Sequence, residues 1–187
     1  MSFHSLENGG SPTAAAIALL NQINGAFATL VRASGGNNAL RYLLIAGYWT
    51  DTTRSQGVLM SDSRSILSVH YYSPSSFTFG GTSTWGSTAE VASMKADWAN
   101  VKTNYLNKGI PVILGEYGVV TSTDTASRIY WLEYVTKTVF DYGIAPYTWD
   151  DGDGMSYFNR RTLTWSARVL DALKRASSGQ AYIPVKQ

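Results

Sequence analysis

In residues 111–118, Pro-Val-Ile-Leu-Gly-Glu-Tyr-Gly, an apolar run ends on a single carboxylate, Glu116. Such a run reads as a buried strand. A carboxylate at its end either finds partners or is put to use, because an unpaired buried charge is strongly penalised. Gly115 and Gly118 on either side allow tight turning and close approach of another backbone or a ligand. Two readings stand side by side here: a strand-end ion pair with an arginine, and a working carboxylate in a cleft. His70-Tyr71-Tyr72 follows a second apolar run and would bring an imidazole and a phenol beside Glu116. A phenol that donates to a carboxylate orients it and favours its ionised form; a core-edge histidine with two packing tyrosines fits the same letters. Trp149 ends another run and offers either a flat stacking face or a core anchor.

Other chemistries find less support. Asp150-Asp151-Gly152-Asp153-Gly154 shares part of a calcium loop but lacks the full spacing and the closing Glu, so a solvated acidic turn is the better reading. Only two histidines, His4 and His70, are present and there is no cysteine, which excludes a thiol nucleophile, disulfides and thiolate metal sites and disfavours zinc. No Gly-rich phosphate loop follows a strand. The expectation is a site with neither metal nor cofactor.

The elements that must position these groups alternate. After residues 3–6, a strand stub, Ser11-Pro12 reads as a helix cap followed by the first turn, and Leu20, Ile23, Phe27 and Leu30 continue at helical spacing to Gly35-Gly36. Residues 42–46 and 66–69 read as strands. A Ser/Thr/Gly-rich stretch over 71–86 carries Phe77, Phe79 and Trp85, and a loop of that length is usually functional or disordered. Ser87 and Glu90 form a capping box for a helix with Val91, Met94, Trp98, Val101 and Tyr105 on one face. Strand 110–114 follows, then a helix capped by Asp124, strand 144–149, an Asp/Gly loop, and a last helix that presents Trp165, Val169, Leu170 and Leu173. Arg160-Arg161 reads as a helix entry or a salt-bridge feature. This βα alternation predicts an α/β fold with a mostly parallel sheet and outer helices, in one domain over residues 1–187. Glu7, His70, Glu116 and Asp150/Asp151 all fall just after strands, where parallel β/α architectures gather functional residues.

The net charge of +2 gives no footing for nucleic acid, and no uninterrupted apolar run reaches the roughly 18 residues that span a bilayer. The opening residues lack a basic start and apolar core, so no signal peptide is expected in this chain. Aromatic residues, at 13% with six Trp and twelve Tyr, are abundant enough for a binding surface as well as a core.

The segments VHYYSP, KGIPVILGEYG, GIAPYTWDDG and LVRASGGNNALRYLLIAGYWTD resemble the second half of a family 5 glycoside hydrolase, specifically its endoglucanases (cellulases). The similarity runs from Phe3 to about Leu173. It implies hydrolysis of β-1,4-glucans by a retaining mechanism, with Glu116 as nucleophile, His70 as a substrate-binding residue, Tyr72 in contact with the nucleophile and Trp149 stacked near the cleaved sugar. The aromatic groups of the loop after His70, Trp85 among them, are candidate secondary platforms for substrate, Asn8 is a further candidate substrate contact, and the resemblance implies an extracellular location. The family fold is an eight-stranded βα barrel of usually about 250 residues or more, of which this chain resembles strands four to eight. The active-site Arg and His that the family carries on its first units have no counterpart here.

The acid/base position also departs from the family. Phe3-His4-Ser5-Leu6-Glu7-Asn8-Gly9 stands where the family reads F-E-x-L-N-E-P, so Asn8 occupies the acid/base place and Glu7 its neighbour's. Adjacent strand residues point to opposite faces. Glu7 therefore serves as acid only if the strand ends early or bulges, which Asn8-Gly9-Gly10 permits. A half barrel of four to five strands would leave an apolar face and two edges exposed, and the expectation is a homodimer that completes it. The competing functional reading is a catalytically impaired carbohydrate-binding remnant or a half-barrel assembly module.

Overall fold

The computed structural model describes residues 10–186. The strand stub expected over 3–6 and the candidates Glu7 and Asn8 lie outside the described residues. Helix α1, Ala14–Ala33, starts two residues later than Ser11-Pro12 predicts: Thr13 is the cap, its hydroxyl accepting the Ala16 N–H at 3.1 Å. Strands β1 (Leu43–Asp51) and β2 (Ser65–Tyr71) follow, joined by loop 52–64 without a helix between them. A short helix α2, Ser75–Thr78, and helix α3, Thr88–Asn104, lead to β3, Val112–Tyr117. The Ser87–Glu90 capping box is formed in full at the start of α3. Helix α4, Thr125–Asp141, is capped by Asp124, whose carboxylate accepts the Ser127 N–H at 2.8 Å. Strand β4 is Ala145–Thr148, and the chain closes with a hairpin of β5 (Phe158–Asn159) and β6 (Thr164–Trp165) and helix α5, Ala167–Ala176.

Strands β1 to β4 form a single parallel sheet in the order β1-β2-β3-β4. Its helix-facing side is the core. Leu67, Val69 and Tyr71 of β2 and Leu114 and Tyr117 of β3 are buried with Met94, Trp98 and Val101 of α3 and Trp131, Leu132, Val135 and Val139 of α4. The opposite face is open: Leu44 is 54% and Tyr147 56% exposed. Strands β1 and β4 each lack a second neighbour among the described residues, and Pro146, which has no N–H to donate, fits β4's place at an edge.

Two elements differ from expectation. Trp165 belongs to the hairpin, not to the last helix, because the Asn159 side chain accepts the Arg161 and Thr162 N–H groups and closes a turn there. In α1, Leu20 is buried on the sheet with Ala16 and Ala28, but Leu19, Ile23, Phe27 and Leu30 form a second, exposed apolar stripe. This helix is long and apolar enough to cross a membrane by length and composition alone, although its Ala16/Leu20/Ala28 face packs on the sheet. Completely buried Leu114 sits where β3 meets both helices; Leu114→Ala is expected to lower unfolding stability by about 2–5 kcal/mol, read from urea denaturation midpoints.

Candidate active site

Simple alternation along β3 would turn Glu116 toward the helices together with Leu114. The pairing with β2 prevents this. Val69 pairs with Leu114, yet the next residue, His70, pairs with Glu116, so Gly115 is an extra residue on β3. The same slip shows against β4, where Leu114 pairs with Pro146 and Tyr117 with Thr148. A one-residue bulge re-aims the side chains that follow it. Leu114 and Tyr117 face the core, while Gly115 and Glu116 both lie on the partly open side. Glycine suits the bulge, because a Cβ on Gly115 would come 3.1 Å from the Ser68 hydroxyl and 3.6 Å from the His70 ring.

Residues of β2 and its exit then converge on the re-aimed carboxylate. Tyr72 donates its phenol to Glu116 Oε2 at 3.1 Å, and His70 Nδ1 lies 3.3 Å from the same oxygen. Both the His70 and Glu116 side chains remain 29% exposed, so the group is supported from behind and open in front. Burial holds the His70 imidazole below its ordinary value, with Glu116 pulling partly the other way. At neutral pH the ring that faces Glu116 is therefore neutral. Burial, reinforced by the Glu116 charge, pushes the Tyr72 phenol well up, which keeps it a proton donor. The arginine ion pair that the sequence allowed for Glu116 is not among its described contacts; its partners are Tyr72 and His70.

One strand away, the Trp149 N–H donates to the Tyr117 carbonyl at 2.9 Å and the indole is 44% exposed. Gly118 lets this segment approach: a Cβ there would meet Met155 Sδ at 2.9 Å and the Trp149 carbonyl at 3.3 Å. The acidic turn beyond it is structural. Asp150 accepts the N–H groups of Tyr157 and Phe158 at 2.7 and 2.9 Å and pairs with Arg160 at 2.6 Å. Burial alone would raise the Asp150 carboxyl; the Tyr157 N–H and Arg160 outweigh it and hold it low. Asp151 accepts from the N–H groups of Asp153 and Met155. These carboxylates are committed to the loop that carries Trp149. Among the described residues, no group of three or more His, Cys, Asp or Glu could hold a metal ion.

Of the predicted site residues, His70, Tyr72, Glu116 and Trp149 come together at the carboxyl ends of β2 to β4. Glu7 and Asn8 lie outside the described residues. Trp85 is a correction: it is 2% exposed, packed among Phe77, Tyr130 and Tyr134, and has no face to offer a ligand. The stretch around it is ordered onto α4 because its aromatic side chains are worth more in the core than in water. At the end of β1, two strands from Glu116, Trp49 and Thr50 adopt left-handed backbone with φ of 56° and 54°, within a register shift between Ala46 and Asp51. Trp49 is 40% exposed and the Arg54 guanidinium lies 5.5 Å from its ring. Apolar patterning gives no sign of such a backbone, which is rare for bulky residues and clusters at functional sites.

Comparison with known proteins falls on one family. The model of the cellulase family, glycosyl hydrolase family 5, matches residues 7–153. The chain is 35% identical over 176 residues to Endoglucanase B of Clostridium cellulovorans, covering 85% of this chain and 40% of that protein. It is 34% identical over 173 residues to the cellulase/esterase CelE of Acetivibrio thermocellus, covering 85% of this chain and 21% of that protein. Among solved structures, a broad-specificity GH5-4 endoglucanase from an uncultured bovine rumen ciliate superposes with a TM-score of 0.81 at 28% identity, over 88% of this chain and 55% of the other. A tri-modular GH5 subfamily 4 endo-β-1,4-glucanase from Bacillus licheniformis, complexed with cellotetraose, gives a TM-score of 0.82 at 27% identity, over 94% and 34% of the two chains. The chain thus spans less than half the length of these two curated relatives.

The neutral, half-buried imidazole makes a signed prediction. A histidine whose folded pKa lies below its ordinary 6.5 stabilises the fold fully above that pH, and the contribution is lost as pH falls through the folded value. Between about pH 8 and about pH 5, wild type is expected to lose more unfolding free energy than His70→Asn, measured by urea denaturation; parallel losses would contradict it.

Proposed function

Because this chain belongs to glycosyl hydrolase family 5, we propose that it contributes the nucleophile side of an endo-acting β-1,4-glucanase site that retains anomeric configuration. The observation that carries this reading is the Glu116 carboxylate, turned out of the core by the Gly115 bulge and held by Tyr72 and His70 beside exposed Trp149. In the proposed reaction a Glu116 oxygen attacks the anomeric carbon through an oxocarbenium-like transition state while the glycosidic C–O bond breaks. An acid protonates the departing oxygen, and water then cleaves the glycosyl-Glu116 ester with that group acting as base. Tyr72, protonated throughout, keeps one carboxylate oxygen fixed so that the other is free to attack. Trp149 offers its ring face to the sugar at the point of cleavage. Glu7 is the proposed acid/base, and the secreted location of a polysaccharide-degrading enzyme goes with this reading.

An aryl cellobioside with a strongly acidic leaving phenol needs no proton donor, so it separates the two carboxylates. Glu116→Gln is expected to lower turnover of such a substrate at least about 10³-fold, and Glu7→Gln to leave its cleavage step nearly intact while slowing carboxymethyl cellulose hydrolysis about 10²-fold or more. Equal background rates in wild type and Glu116→Gln would leave the carbohydrate-binding reading in its place.

A second proposal concerns the open face. The exposed stripe Leu19, Ile23, Phe27 and Leu30 runs along α1, and exposed Leu44 and Tyr147 line the face of the sheet away from the helices. We infer that a second copy of the chain covers this surface and pairs or caps the free strand edges, forming one twofold half-barrel pair. Light scattering after size exclusion is expected to give twice the 20.4 kDa chain mass at micromolar concentration; a monodisperse monomer would overturn the dimer without touching the assignment of Glu116.

A further inference from the structure

His70 and Tyr72, the two partners of Glu116, flank a residue that points the other way. Tyr71 is 2% exposed on the helix side of the sheet. Its ring lies between Trp98 of α3, with centroids 5.3 Å apart, and Trp131 of α4, stacked at 6.0 Å and 10°. Its hydroxyl donates to Asp97 Oδ2 on α3 at 2.9 Å. Because adjacent strand side chains alternate, any rotation of β2 that moves Tyr71 swings His70 and Tyr72 the opposite way. The strand exit is held at a second point, where the Trp131 indole N–H donates to the Ser73 carbonyl at 3.2 Å. The neighbouring strand is fastened by the same device. Tyr117, next to Glu116, is buried with its hydroxyl 2.6 Å from Thr136 Oγ1 and its ring 6.2 Å from Trp131.

The two site-bearing strands are thus keyed to α3 and α4 through tyrosines whose hydroxyls fix them in one rotation. We propose that Asp97, acting through Tyr71, is a positioning residue that sets the contact of His70 and Tyr72 with the Glu116 carboxylate. Hydrophobic packing alone would be met by phenylalanine at position 71; the phenol adds a directional bond to a carboxylate that lies off the strand. Asp97 is held there although burial, opposed in part by the Tyr71 bond and reinforced by the neighbouring Asp51, raises its carboxyl above the ordinary range. The proposal rests on the reading of Glu116 as the working carboxylate, but its consequence is geometric and can be read without turnover.

The readout is the proton position on the neutral His70 ring, followed by nitrogen-15 NMR of the full chain labelled at histidine. The chain has two histidines, and His70→Gln assigns the spectrum. With Nδ1 facing Glu116, wild type is expected to hold its proton mainly on Nδ1, against the Nε2 preference of a free ring. Tyr71→Phe and Asp97→Ala are expected to shift the ratio of the two tautomers toward Nε2 at least about two-fold. Asp97→Asn, which keeps an oxygen for the Tyr71 hydroxyl, is expected to stay near wild type. A merely structural role would lower melting temperature and leave the ratio unmoved. Folded Tyr71→Phe with the wild-type ratio overturns the proposal, as does wild type with its proton on Nε2. If Asp97→Ala does not fold, the contrast between Tyr71→Phe and Asp97→Asn decides. An inactive wild type with the predicted ratios would sink the hydrolase reading and leave the positioning role standing.

Discussion

A single inserted residue in β3 decides which side of the sheet Glu116 faces. Without the slip at Gly115, the alternation that buries Leu114 would bury Glu116 against α3 and α4, where a carboxylate would be desolvated among tryptophans. With it, Glu116 stands on the open side in register with His70, and Tyr117 returns to the core. Everything else in the site follows from that register. Tyr72 reaches the carboxylate because it lies just past the end of the paired strand, and Trp149 flanks it because its N–H is held by the carbonyl of Tyr117. The bulge suits a residue without a side chain, since a Cβ there would crowd the Ser68 hydroxyl at 3.1 Å and lie against the His70 ring at 3.6 Å.

Behind the sheet the molecule invests its aromatic residues in rigidity. Trp98 and Trp131 touch the core-facing tyrosines of the two strands that carry the candidate site. The acidic turn after β4 does comparable work, with Asp150 tying Trp149's loop to the β5–β6 hairpin through two backbone N–H groups and Arg160. The same side chains that look like a ligand set in the sequence are, in the fold, ligands for the loop's own backbone. In front, the sheet is open, and its exposed Leu44 and Tyr147 contrast with the dense packing on the helix side.

How much of this is legible in the letters depends on the range of the interaction that decides each feature. Glu116, His70, Tyr72 and Trp149 stand out because polar or amphipathic residues end apolar runs, and the Ser87–Glu90 and Asp124 caps are local enough to be read directly. The parallel sheet follows from the alternation of elements. The bulge is not legible, because the pattern around Gly115 fits an unbroken strand and the extra residue exists only relative to β2. Trp85 looks like a platform because its neighbours are small and polar, yet Tyr130 and Tyr134, some 45 residues on, enclose it. Trp165 reads as helical by spacing, and a turn closed by Asn159 claims it first. The Tyr71–Asp97 bond joins residues 26 apart on different elements, so no local pattern announces it.

The central claim is that Glu116 is the group that bonds to the sugar. A 2-deoxy-2-fluoro cellobioside carrying a dinitrophenyl leaving group forms such a bond without a proton donor and slows its hydrolysis, so the adduct accumulates on the nucleophile. Mass spectrometry of the digested protein is predicted to show one cellobiosyl adduct, on the peptide that contains Glu116, and none in Glu116→Gln. An unlabelled chain, or an adduct on any other carboxylate, would contradict the account.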